Sequence, residues 1–308
     1  MIWSSYSQQY HVANLDGVAS QGKVVPQVDS KEPFEAVNNR PSVKPVYEDI
    51  TSPLLHKGAS KPAASAFVKT DQTVYQYDRL RQHGTALVID DVGYDLPALR
   101  RILALGLPVA IAIIPDAPYA REAAEIAHRA GHMVMLHMPM EPANPHYRAR
   151  MDGSFLRSDM SEETVTRMLR KGLEKVPYVQ GINNHMGSFL TSMPEPMAWV
   201  MAFCKKNKLF FIDSKTIATS IVSDIAKSYG LRWAERRVFL DHSIKEADMN
   251  KAWARAEHYA KQQGGCIVIA HPHPETLNFL EKNASYLQRS MHRVVDLLHV
   301  PRPTIAGD

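Results

Sequence analysis

The residues best able to do chemistry in this 308-residue chain stand at the ends of its apolar runs. ALVIDD (86–91) stops on Asp90 and Asp91, and HMVMLH (132–137) stops on His137, with Glu141 four residues on. VQGINNH (179–185) stops on His185, LFFID (209–213) on Asp213, and CIVIA (266–270) is followed at once by His271. A further run ends before Pro115-Asp116. Two adjacent carboxylates repel each other, so a buried run should not end on a pair of them without a compensating partner. Imidazoles and carboxylates brought together suit Zn²⁺ or a similar divalent ion, with one position left open for water. Helix capping accounts poorly for the pair, because Asp95, two residues before Pro97, is the better cap for the helix DLPALRRILAL. Asp213 reads equally as a site residue or as a cap for the following helix. His273, beyond Pro272, reads as a loop residue at the start of PETLNFL.

These residues need elements to position them. Strands are expected at 85–90, 108–114, 132–137, 179–185, 209–213 and 266–270, with shorter ones at 231–234 and 238–240. Helical periodicity lies near 95–106, 117–131, 161–176, 194–207, 216–229, 246–263 and 275–298. Ser161 marks a helix start, as does Pro118. Apolar strands alternating with helices imply a parallel α/β sheet covered by helices. A closed or incomplete (β/α) barrel and a doubly wound sheet both fit, and both gather their sites at the C-terminal ends of the strands.

Apolar content of 45% and charged content of 22% are ordinary for a globular protein. A net charge of +4, spread along the chain, gives no basic cluster, so nucleic acid is not an expected partner. Cys204 and Cys266 read as buried thiols. No apolar stretch is long enough to span a membrane, and the first residues lack the basic and apolar regions of a signal peptide. Residues 1–83 are expected to form a poorly ordered tether, 84–300 the catalytic domain, and 301–308 a tail.

IDDVGY, GHMVMLHMPMEP, GINNHMGS, FFIDSKT, VFLDH and IAHPHPET, in that order, closely resemble the divergent polysaccharide deacetylases of the bacterial envelope. This is a remote branch of the polysaccharide deacetylase (carbohydrate esterase) superfamily. The resemblance spans residues 84 to 300. It implies a distorted or incomplete (β/α) barrel of about seven strands. It also implies a zinc-dependent enzyme that removes N- or O-acetyl groups from an envelope polysaccharide or related glycan, in the periplasm or cell envelope. By the superfamily's first motif Asp90 is the base and Asp91 a metal ligand, and by its late motif His271 is the acid. Asp213, expected on the same rim, is counted with the catalytic group. The second motif departs from the pattern: its first metal histidine matches His137, and its second falls on Glu141. His185, ending the next strand, is the expected third ligand, with Glu141 as the alternative. Two other readings stand beside this one: a non-catalytic glycan-binding or envelope scaffold, and a metal-dependent hydrolase of another amide or ester.

Overall fold

The run that ends on the two aspartates forms strand β2 (Gly84–Val92), buried along nearly its whole length. The computed structural model describes residues 75–77 and 83–303. Apart from 75–77 and 83, the expected tether over 1–83 lies outside the described residues, as do residues 304–308 of the expected tail. Six strands follow β2: β3 (Ala110–Ile113), β4 (Met133–Met140), β5 (Val179–Met186), β6 (Phe210–Asp213), β7 (Trp233–Phe239) and β8 (Gly265–Ala270). Each pairs in parallel with the next, and β8 pairs with β2, so the seven strands close into a barrel. The short strands expected at 231–234 and 238–240 are one strand, β7. A bulge between Arg236 and Val238 breaks its alternation and hides its continuity in the sequence.

The covering helices are α1 (Leu96–Leu103), α2 (Ala120–Arg129), α3 (Pro145–Arg148), α4 (Glu162–Lys175), α5 (Pro194–Lys206), α6 (Val222–Ser228), α7 (Glu246–Gln263) and α8 (Pro274–Leu287). Asp95 caps α1, its Oδ1 accepting from the Ala98 N–H at 2.9 Å, so capping of that helix needs neither Asp90 nor Asp91. Ser161 caps α4 in the same way. The helix expected to run to 298 stops at Leu287. Thr85, at the start of β2, takes the chain instead, bonding Ser290 O and His292 N at 2.8 and 2.7 Å.

Side-chain parity sorts the core into two layers. Ala86, Val88, Ala110, Ala112, Met135, Phe210, Ile212, Ala234, Ile267 and Ile269 form one cluster with Val294, Leu297 and Leu298, which follow α8 and plug the barrel floor. The intervening residues, among them Leu87, Ile89, Ile111 and Phe211, pack outward against the helices. Gly181 gives the Phe210 ring room inside the barrel, since a Cβ there would stand 2.2 Å from it. The fold also extends beyond the expected 84–300 at both ends. Strand β1 (Tyr75–Tyr77) pairs antiparallel with β9 (Pro301–Pro303), and Tyr77 Oη donates to Leu231 O at 2.9 Å. This clasp lies at the floor, where His299 bridges to Trp233, the first residue of β7.

Candidate metal centre at the barrel mouth

Counting in twos up the inward-facing positions leads to one layer of polar residues at the C-terminal mouth. Ala86 and Val88 lead to Asp90, Met135 to His137, Gly181 to Asn183 and His185, Ile212 to Ser214, Ala234 to Arg236, and Ile269 to His271. Asp91 is the exception, because strict alternation would turn it outward. Its backbone lies in the left-handed region at φ 56°, and the β2–β3 register shifts between Ile89 and Val92. The bulge returns Asp91 to the mouth beside Asp90.

Three donor atoms then meet. Asp91 Oδ1 lies 3.2 Å from His137 Nε2 and 2.9 Å from His185 Nδ1, and those two nitrogens are 3.2 Å apart. Asp91 Oδ1 is buried and makes no hydrogen bond of proper geometry. Three lone-pair atoms this close repel unless a proton or cation sits among them. The donors of a tetrahedral zinc site with ordinary bond lengths stand about 3.3 Å apart. The donor set and its spacing therefore fit a divalent ion, and the Asp91 side chain, 36 % exposed, leaves the site open toward solvent. Glu141 stands outside this triangle. Its Oε2 accepts from the Ser158 N–H at 2.7 Å and its Oε1 meets Arg148 Nε at 3.1 Å, which pins the segment between β4 and α4.

Around the triangle stand groups able to move protons. Asp90 is buried, with Oδ2 3.6 Å from His137 Nε2. Burial pushes its carboxyl above the ordinary range, against the pull of His137 and His271. Burial acts in the same direction on Asp91, but the His185 and His137 rings outweigh it and hold that carboxyl well below the ordinary range. His137 is buried too, which disfavours its charged form, yet Asp90 and Asp91 raise its pKa. His271 Nδ1 lies 3.1 Å from Asp241 Oδ1, and Asp241 Oδ2 accepts from the His271 N–H at 2.6 Å and from Thr276 Oγ1 at 3.0 Å. Burial opposes the imidazolium, but Asp241 overrides it and brings His271 up to about 9. His273 tilts against His271 with ring centroids 5.8 Å apart, and caps α8 without a side-chain bond.

Asp213 has the opposite parity from the mouth layer. Its carboxylate accepts from the Lys215 N–H and Ser220 Oγ, both at 2.7 Å, and organises the loop that delays α6 to Val222. Asp116 is on the outside, paired with Lys175. Three mouth residues went unread in the sequence. Asn183 lies two positions before His185 on the same strand face, so alternation from His185 would have found it. Asp241 follows VFL directly but pairs with a residue 30 positions away. Arg236 fell between two strands that are one; its Nε donates to Ser214 O at 2.6 Å, and burial lowers its guanidinium to about 10, with Asp213 and Asp90 opposing.

Comparison with known proteins returns one family. Residues 87–300 match the model described as divergent polysaccharide deacetylase. The uncharacterized protein YibQ of Escherichia coli (strain K12) is 39% identical over 197 residues, 64% of this chain and 61% of that protein. The chain thus spans under two thirds of YibQ's length. An uncharacterized protein of Haemophilus influenzae (strain ATCC 51907 / DSM 11121 / KW20 / Rd) is 35% identical over 234 residues, covering 76% of this chain and 82% of that one. The crystal structure of an uncharacterized protein from Agrobacterium tumefaciens C58 shares the fold, with a TM-score of 0.64 at 21% identity, over 70% of this chain and 89% of that chain.

Proposed function

The chain belongs to the divergent polysaccharide deacetylase family, and from that premise we propose that it is a metal-dependent hydrolase removing acetyl groups from a glycan of the bacterial envelope. The observation that carries the reading is the triangle of Asp91 Oδ1, His137 Nε2 and His185 Nδ1, with a proton acceptor on one side and a charged imidazole in the same mouth.

Asp91, His137 and His185 would hold the ion, Zn²⁺ by the chemistry of the donors. Bound there, it supplies an acidified water and a Lewis acid for the acyl carbonyl. Asp90 takes the proton from the attacking water. Its raised pKa makes it a stronger acceptor than a free carboxylate, while the nearby imidazoles keep its charge tolerable. His271, charged by Asp241, donates a proton to the leaving amine or alcohol. Arg236 braces the mouth through Ser214. The pairing of an acceptor with a charged donor gives a bell-shaped rate profile, with the acidic limb set by Asp90 and the alkaline limb by His271.

Zinc content by elemental analysis, together with acetate release from acetylated glycans, tests the reading. Wild type should hold one equivalent. Asp91→Ala should lose it, and Glu141→Ala should retain it. Asp90→Asn should keep the metal and lose turnover. Undiminished zinc in Asp91→Ala, or loss of it in Glu141→Ala, would overturn the ligand set; full activity in Asp90→Asn would overturn the base. The envelope location is tested by cell fractionation, where recovery in the cytoplasmic fraction would argue against it. No helix among the described residues is long and apolar enough to cross a membrane.

A further inference from the structure

Asn183 is fully buried and touches both halves of the site. Its Nδ2 donates to Asp90 Oδ1 at 2.8 Å, with a longer bond to Ser214 Oγ at 3.3 Å, and its Oδ1 lies 3.0 Å from His137 Nδ1. An amide has one donor end and one acceptor end, and an ionised carboxylate accepts only. Asp90 therefore fixes which way the amide faces, because the reverse orientation would set two oxygens against each other. With the amide so fixed, its carbonyl oxygen is what meets His137, and an oxygen there calls for a proton on Nδ1. The proton on Nδ1 leaves the Nε2 lone pair free, and Nε2 is the atom that faces Asp91 Oδ1 and His185 Nδ1.

We propose that Asn183 is a positioning residue that couples the proton acceptor Asp90 to the cation ligand His137, by holding His137 as its Nδ1–H tautomer. The proposal rests on the metal-site reading above only for its consequence. The tautomer itself is a property of the metal-free protein. Ligating histidines are commonly oriented by a partner on the second ring nitrogen, and loss of such a partner weakens metal binding by roughly 10- to 100-fold. Here the partner is an amide shared with the base, so one residue aligns two roles.

Two measurements on the full chain test it. The first is the ¹⁵N spectrum of the His137 ring in metal-free protein, where Nδ1 is expected to carry the proton while the ring is neutral. The second is zinc affinity by competition with a chromophoric chelator. Asn183→Ala should weaken zinc by roughly 10- to 100-fold. Asn183→Asp keeps an acceptor for His137 and sets a second carboxylate against Asp90, so the two share one proton. It should therefore bind zinc more tightly than Asn183→Ala, while acetate release falls by about a hundredfold or more because the shared proton occupies the base. A neutral ring protonated at Nε2 rather than Nδ1 in wild type, or zinc bound equally by Asn183→Ala and wild type, would overturn the proposal. Wild type that binds no zinc, with the ring protonated at Nδ1, would instead overturn the metal-site reading and leave the Asn183 assignment standing.

Discussion

Asp241 decides the charge of His271, and that charge has a thermodynamic signature. A buried imidazole on its own would favour the neutral form; the carboxylate 3.1 Å away reverses this. Because the folded pKa is raised, the contribution to stability is complete below the free imidazole value near 6.5 and is lost as pH rises through about 9. In metal-free protein the urea midpoint should fall across that window, by an amount equivalent to about 3 kcal/mol. Asp241→Asn should flatten the profile and lower the plateau at its acidic end. A wild-type midpoint unchanged across the window would contradict the pairing. At this scale the sequence was half legible. His271 could be found because it follows an apolar strand directly. Asp241 could not be given a role, since nothing local joins two residues that follow different strands.

The bulge at Asp91 shows what an element adds to a motif. Like-charge repulsion singles out Asp90 and Asp91, but an unbroken strand would send them to opposite faces. The left-handed backbone at φ 56° puts both in the mouth. Asparagine enters that region with little strain and valine does not. Asp91→Val should therefore be less stable than Asp91→Asn by about 1–2 kcal/mol. Both variants lack the carboxylate, so the loss of charge is common to them, and equal midpoints would remove the strain argument. A similar local break in β7 concealed Arg236. Bulges are set by pairing with neighbours, and for that reason single-strand periodicity misses them.

At the scale of the molecule, the order of strands and helices was legible and barrel closure was not. Apolar runs alternating with helical stretches fit a doubly wound sheet as well. Closure depends on β8 finding β2, and on Gly181 making room for Phe210 inside the ring. Gly181→Ala should cost about 1–3 kcal/mol through overpacking, with one cooperative urea transition retained. A variant as stable as wild type would mean that the interior has slack. The floor has a separate consequence. Strands β1 and β9 clasp each other there, so the chain enters and leaves the barrel at the same end. This gives the molecule a handle and a working face. Among the described residues, the polar mouth and the clasp of the two chain ends therefore lie at opposite ends of the barrel.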